Sequence, residues 1–176
     1  MAILGGKEII RRVKEGNDLY IENFDEKRVN PNSYNLTLNN KLIIYNEAIL
    51  DMKRENQTKE IIIPESGYVL KPGKIYLAKV NEYTKTHNLV PIVEGRSSIG
   101  RLGLSVHPST GFGDNGFEGR FTLELSVAQP LRIYPNIEVC QIVYHTIEGQ
   151  SDKYNGRYQN SEDVVKCRLY QDYEGK

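Results

Sequence analysis

Cysteine is scarce in this chain, which carries only Cys140 and Cys167 among 176 residues. The two are too far apart to form a C-x-x-C pair and too few for a disulfide framework. Neither sign of charge is in excess, because 23 basic side chains balance 23 acidic ones. A general nucleic-acid surface needs a basic excess to neutralise phosphates, so this class of partner is excluded. A small anion site built from a few arginines stays open.

Long apolar runs are also missing. Runs such as Ile61–Ile63 have the size of a strand, whereas a membrane span needs about 20 apolar residues. The opening residues do not show the charged and then apolar pattern of a secretion signal. Together with the sparse cysteines, this predicts a cytoplasmic protein with no membrane partner.

The length and composition predict a single domain over residues 1–176. Ile9, Ile10 and Val13 have helical spacing and Gly16 suits a C-terminal cap, so the sequence predicts an N-terminal helix. Short β-branched or aromatic runs then alternate with turn signals, which predicts a mainly β fold of the sandwich, jelly roll or barrel kind. These runs are Leu42–Tyr45, Ile61–Pro64, Ile75–Val80, Leu89–Val93, Phe121–Val127 and Ile137–Tyr144. The turn signals are Asn39-Asn40, Pro72-Gly73, Asp114-Asn115-Gly116 and Pro135-Asn136.

Residues 153–176 form a polar, tyrosine-rich tail. Such a tail either folds over a site or a neighbouring subunit, or frays.

The densest group of functional side chains lies between Glu94 and Gly103. It contains Arg96, Ser97, Ser98 and Arg101, framed by glycines. Guanidinium groups bind phosphate oxygens in bidentate fashion, and glycine lets backbone N–H groups approach an anion. The stretch therefore predicts a phosphate site, with a solvated polar turn as the alternative.

A second group, Gly111–Gly119, holds four glycines around Asp114. This aspartate can accept a hydrogen bond from a sugar hydroxyl, orient a water, or close an Asx turn.

A third feature is the strand over residues 120–127, where alternation places Phe121 and Leu123 on one face and Thr122 and Glu124 on the other. If that polar face lines a pocket, Glu124 suits a general acid/base. If it faces bulk water, Glu124 is an ordinary surface carboxylate.

Several catalytic signatures are absent from the sequence. The three histidines lack the H-x-E and P-C-x-x-C context of zinc-dependent nucleobase deaminases. Neither a Walker phosphate loop nor a G-x-S-x-G elbow occurs. We therefore predict no zinc site and no protein ligands to a metal, and interpret His107 and His145 as strand-end or core residues.

Taken in order, these clusters resemble the dCTP deaminase branch of the trimeric dUTPase-like superfamily. The matching pieces are Gly95-Arg96-Ser97-Ser98-x-x-Arg101-Leu102-Gly103-Leu104, Val106-His107, Gly111-Phe112-x-Asp114-x-Gly116-Phe117-x-Gly119 and Thr122-Leu123-Glu124-Leu125. Weaker matches are Asn32-Ser33-Tyr34-Asn35-Leu36, Tyr134-Pro135 with Gln141, and Tyr154-Asn155-Gly156-Arg157-Tyr158-Gln159. The similarity extends over essentially the whole chain.

The resemblance implies a distorted β jelly roll, a homotrimer with sites between subunits, and zinc-free hydrolysis of dCTP to dUTP and ammonia. A second hydrolysis to dUMP and diphosphate is left open. Mg²⁺ would accompany the triphosphate.

By position, Glu124 matches the acid/base that activates water for attack on C4 of cytosine. Ser97 and Arg101 match residues that hold that water and stabilise the intermediate, and Thr110 stands where a backbone carbonyl helps to position it. The residues implied in substrate binding are Arg96, Ser98, Asp114, Thr122, Gln141, Tyr154 and Arg157.

The sequence also departs from the family pattern. Thr110 replaces an alanine, and a proline usual near Asn115 is missing. Ser161 replaces a glutamine that contacts nucleotide, and Glu162-Asp163 adds negative charge where the tail would close over phosphates, which we expect to weaken binding. These departures keep two alternatives open: a dUTP pyrophosphatase, and a nucleotide-binding paralogue without turnover.

Overall fold

An amphipathic helix, α1, spans Gly6–Glu15 at the start of the computed structural model, which describes residues 2–175. The helix ends at Gly16, whose φ of 67° forms a left-handed cap and whose N–H donates to the carbonyl of Arg12. Ile9 is fully buried against the sheets. The predicted N-terminal helix is confirmed.

The remaining regular structure in residues 2–175 is almost entirely β. The strands are β1 (Leu19–Ile21), β2 (Tyr34–Tyr45), β3 (Thr58–Ile62), β4 (Tyr68–Leu70), β5 (Tyr76–Val80), β6 (Thr84–Thr86), β7 (Leu89–Gly95), β8 (Leu104–Val106), β9 (Glu118–Gly119), β10 (Thr122–Val127), β11 (Leu131–Ile133) and β12 (Glu138–Thr146). A one-turn helix, α2 (Ser97–Gly100), separates β7 from β8, and short 3₁₀ turns cover Glu26–Arg28 and Leu169–Asp172.

Seven of these strands form one sheet that curls into a nearly closed barrel. Its order is β7-β12-β2-β5-β10-β8, with β3 also paired to β2, and all of these pairings are antiparallel. Two smaller sheets, β1-β6-β9 and β4-β11, complete the fold. The predicted mainly β, jelly-roll-like fold class is confirmed.

The predicted turn at Asn39-Asn40 is wrong, because β2 runs through it without a break. The register against β5 shifts between Leu38 and Leu42, which marks an irregularity at this point. The Asn39 side chain donates to Asn81 Oδ1 over 2.7 Å and accepts from the backbone N–H of Lys41 over 3.2 Å. Local side-chain hydrogen bonds therefore let two turn-forming residues lie within a strand.

The alternation predicted for β10 is present. Leu123 and Leu125 have no exposed surface and belong to the core. Thr122, Glu124 and Ser126 are half-buried on the opposite face. The core side chains therefore fix the direction in which Glu124 points.

Replacing Leu123 with alanine should lower the free energy of unfolding by about 2–5 kcal/mol, because it leaves a cavity in a fully buried site. Urea unfolding followed by circular dichroism measures this loss. Ser126→Ala on the other face of the same strand is the matched control, with an expected change within about 0.5 kcal/mol. Equal effects of the two substitutions would contradict the assigned orientation of β10.

Candidate active site

A cavity of about 420 Å³ opens beside the polar face of β10. Its walls come from β10, from the glycine-rich loop before it, and from the C-terminal segment between residues 154 and 167. The volume is typical of a site for a small molecule. Five of the residues predicted for the site line it, namely Thr110, Asp114, Thr122, Glu124 and Tyr154.

Glu124 is one of the residues that line this cavity, and it is half-buried. The hydroxyl of Thr110 donates to Glu124 Oε2 over 2.7 Å. The backbone N–H of His107 donates to the carbonyl of Glu124 over 2.9 Å and so extends the pairing of β8 with β10. A half-buried carboxylate with one oxygen held by a hydroxyl is suited to accepting and returning a proton.

His107 also lines the cavity, whereas the sequence predicted a strand-end or core residue at this position. Its Nδ1 lies 3.3 Å from the hydroxyl oxygen of Thr110. Burial lowers the pKa of the His107 imidazole below its ordinary value, while the nearby Glu124 carboxylate acts in the opposite direction. The Val106-His107 motif was the sequence signal that could have assigned His107 to the site.

Asp114 is exposed at the cavity, while its neighbour Asn115 is buried and holds the loop. The backbone N–H of Asn88 donates to Asn115 Oδ1 over 2.7 Å. A side chain at Gly111 would place its Cβ 2.3 Å from the carbonyl oxygen of Val93, so this approach of the loop to β7 requires glycine. The carboxylate of Asp114 is therefore available to a ligand while Asn115 shapes the turn.

Aromatic side chains form a second wall of the cavity. The Phe117 ring lies 4.7 Å from that of Phe121 and 6.1 Å from that of Tyr154, measured between centroids. The phenols of Tyr45 and Tyr158 also reach the cavity. Such a surface favours a flat, partly polar ring. Most of these residues belong to the motifs described above, but among them the family resemblance implied a nucleotide contact for Tyr154 alone.

The arginine- and serine-rich stretch does not line this cavity. Ser97 and Ser98 are exposed on α2, and Arg101 is exposed at its end. Arg96 is paired instead with Glu138: its Nη2 lies 3.2 Å from Oε2, and its Nη1 donates to the backbone carbonyl over 2.8 Å. Within one chain, these four residues therefore do not line the cavity that contains Glu124.

Two predicted nucleotide contacts also lie outside the cavity. Gln141 accepts from the Ser33 hydroxyl over 2.7 Å and donates to the carbonyl of Gly95 over 3.2 Å, which places it beside the arginine-serine stretch. Arg157 is paired with the carboxylate of Asp172 within the tail. Neither residue contacts the cavity in this arrangement.

Comparison with known proteins decides the family. The dCTP deaminase-like family model matches residues 3–147. The chain belongs to the dCTP deaminase-like family. A relative from Clostridium botulinum (strain Alaska E43 / Type E3), named "dCTP deaminase, dUMP-forming", is 54% identical over 173 residues, which cover 98% of this chain and 99% of the relative. A relative from Leptospira biflexa with the same name is 52% identical over 175 residues, 99% of each chain.

Among solved structures, the 2'-deoxycytidine 5'-triphosphate deaminase from Agrobacterium tumefaciens is similar, with a TM-score of 0.64 and 21% identity. The match covers 82% of this chain and 48% of that one. At this identity the likeness supports the fold alone. In residues 2–175, no helix is long and apolar enough to cross a membrane.

In this dCTP deaminase-like chain, the C-terminal segment docks along β9 and β10. The backbone N–H of Arg120 donates to the carbonyl of Ser161 over 2.8 Å, and that of Val165 donates to Thr122 Oγ1 over 3.0 Å. Gly119 has a φ of 149°, and a Cβ there would lie 2.9 Å from the Ser161 hydroxyl and 3.0 Å from its backbone. Glycine therefore permits this close contact between the strand and the tail.

Asp163 holds the segment through two lysines of the barrel. Its carboxylate lies 2.7 Å from Lys41 Nζ and 3.1 Å from Lys79 Nζ. Partial burial acts to raise the pKa of Asp163, but hydrogen bonds from Lys41, from the backbone N–H of Val164 and from Lys79 outweigh it and lower the pKa to about 2. The stabilisation is thus complete above the ordinary pKa of 3.8 and is lost only as the pH falls through about 2.

Asp163→Asn should loosen the docked segment, because it removes the charge while keeping an oxygen for the N–H of Val164. The pairs are partly exposed, so we expect amide hydrogen exchange over residues 160–167 to become about two- to fivefold faster. Mass spectrometry of the exchanged peptides measures this at pH 7. Glu148→Gln, in an exposed loop, is the control and should leave the exchange unchanged. An unaltered rate in Asp163→Asn would show that the lysine pairs do not hold the tail.

Proposed function

We propose that this chain hydrolyses the 4-amino group of dCTP and then converts dUTP to dUMP and diphosphate. The observation that carries the proposal is the Glu124 carboxylate in a nucleoside-sized cavity, hydrogen-bonded to Thr110 over 2.7 Å. Family membership and relatives named "dCTP deaminase, dUMP-forming" at 54% and 52% identity support the substrate and the product.

In the first step, Glu124 takes a proton from water as the water oxygen bonds to C4 of the cytosine ring. The glutamic acid then returns the proton to the amino nitrogen, and the C4–N bond breaks so that ammonia leaves. The second proton of the water moves from the C4 hydroxyl to ring N3, which gives dUTP as the other product. The flat ring would pack against the wall around Phe117, and the Asp114 carboxylate would accept a hydrogen bond from the sugar.

In the second step, a water oxygen bonds to the α-phosphorus of dUTP and the bond from this phosphorus to the bridging oxygen breaks. The products are dUMP and diphosphate, and the proton released by the water passes to the solvent. Mg²⁺ would be bound as part of the nucleotide substrate and would supply charge neutralisation for the diphosphate leaving group. In residues 2–175, no three His, Cys, Asp or Glu side chains group as metal ligands. Zinc-free chemistry stays a prediction, which metal analysis of the active protein tests.

Purified protein supplied with dCTP and Mg²⁺ should release ammonia and accumulate dUMP, resolved by ion-exchange chromatography. Glu124→Gln should lower kcat for ammonia release by a factor of about 10²–10⁴, because the amide cannot take the proton. Glu65→Gln, at an exposed turn away from the cavity, is the control.

Each alternative gives a different result in the same assay. Diphosphate from dUTP without ammonia from dCTP would identify a dUTP pyrophosphatase. Nucleotide binding by calorimetry without either reaction would identify a paralogue that has lost turnover.

We also propose that the site is completed by a second copy of this chain in a homotrimer. Ser97, Ser98 and Arg101 are exposed and away from the cavity of their own chain, although the family pattern assigns them to the same reaction as Glu124. A cyclic assembly repeats one heterologous contact around its axis, so the α2 region of each copy can meet the cavity of the next.

Mixing two inactive variants tests this arrangement. After the subunits of Glu124→Gln and Arg101→Ala have been exchanged, sites that combine the two intact halves should restore about one quarter of wild-type activity in a cyclic trimer. Each variant mixed with itself is the control. No recovery, with exchange of subunits confirmed by native mass spectrometry, would place all catalytic groups within one chain.

A further inference from the structure

A chain of two hydrogen bonds leads from a histidine to the carboxylate of Glu124. Thr110 Oγ1 lies 2.7 Å from Glu124 Oε2 and 3.3 Å from His107 Nδ1. All three residues line the cavity. The family resemblance implied a role for the backbone carbonyl at position 110 and none for His107, so the connection through their side chains is a separate feature.

The directions of these hydrogen bonds follow from counting protons. An ionised carboxylate only accepts, so the hydroxyl proton of Thr110 points to Glu124. The Thr110 oxygen can then only accept from His107, which requires the proton of the neutral imidazole on Nδ1. Burial favours the neutral form of His107 by lowering its pKa. Its Nε2 is buried and has no hydrogen-bond partner among residues 2–175.

We propose that His107 and Thr110 are positioning residues that direct the catalytic proton to Oε1 of Glu124. Because the Nδ1–H of His107 holds the Thr110 hydroxyl as a donor toward Oε2, that oxygen stays an acceptor throughout the reaction. The proton that Glu124 takes from water must then reside on Oε1. From there it is returned to the leaving amine instead of being held in the hydrogen bond to Thr110.

This inference rests on the proposed deamination, and it assigns a function to the hydroxyl of Thr110. An alanine there, as the family pattern has it, offers no hydroxyl to hold Oε2. His107 has a φ of 48°, a left-handed conformation that is uncommon for residues other than glycine. The backbone thus brings the imidazole back to the loop that carries Thr110, three residues further along.

Thr110→Val keeps the shape of the side chain and removes the hydroxyl. It should lower kcat for ammonia release by about 10–100-fold, with KM within about twofold, because the carboxylate loses its orientation while the nucleotide still binds. Thr110→Ser keeps the hydroxyl and should retain kcat within about threefold. A kcat for Thr110→Val as high as that of wild type would overturn the proposal.

A double-mutant cycle separates action through Thr110 from an independent effect of His107. His107→Ala should lower kcat, and His107→Ala combined with Thr110→Val should be no slower than Thr110→Val alone. Additive losses would overturn the connection. His107→Asn keeps an N–H donor, and asparagine tolerates the left-handed backbone, so this variant should recover part of the activity. It therefore controls for a loss of activity in His107→Ala that is caused by misfolding alone.

The tautomer of His107 gives a readout that does not depend on activity. Two-dimensional NMR of ¹⁵N-labelled imidazoles at pH 7.5 should show a proton on Nδ1, with the signal assigned by its absence in His107→Asn. Thr110→Val should shift His107 toward the Nε2–H form. A proton on Nε2 in the wild-type protein would overturn the inference even if dCTP is deaminated. A wild-type protein that leaves dCTP intact would refute the proposed function, and the tautomer would still decide whether the hydrogen-bond chain exists.

Discussion

The site depends on the burial of one face of β10. Leu123 and Leu125 have no exposed surface, and successive side chains of a strand point to opposite sides. Moving Glu124 away from the cavity would therefore bring a leucine out of the core. Hydrophobic packing on one side of the strand thus fixes the carboxylate on the other, and a proton-transferring group needs this kind of support to keep its geometry.

The sequence was sufficient to predict the elements with a strong local signal. Helix α1 has apolar residues at helical spacing and a glycine cap, and β10 has clear alternation, so both are predictable from local physics. The Asn39-Asn40 pair was misread because partners far along the chain, such as Asn81, satisfy its side chains within a strand. Long-range hydrogen bonds of this kind leave no local pattern.

The candidate site likewise combines residues that a local sequence pattern predicts with residues that only the tertiary fold brings together. Glu124, Asp114 and Thr122 share one strand and the loop before it, so a local pattern could associate them. The approach of Tyr45 and the tail to the cavity depends on tertiary docking, and the hydrogen bond from the Cys167 N–H to the Tyr45 hydroxyl spans most of the chain. The negative charge at Asp163 was expected to oppose a triphosphate. Its two lysine partners, Lys41 and Lys79, come from β2 and β5 and could be known only from the fold.

One consequence concerns the order in which the protein is made. The strands of the barrel end at Thr146, whereas one wall of the cavity consists of Tyr154 and residues 158–167. A ribosome releases the C-terminal residues last. The barrel strands are therefore synthesised first, and the cavity acquires this wall only after residues 154–167 have left the ribosome. A nascent chain that has reached only Thr146 thus carries the barrel strands without the enclosed site, and the site is enclosed only when the segment that follows them has docked.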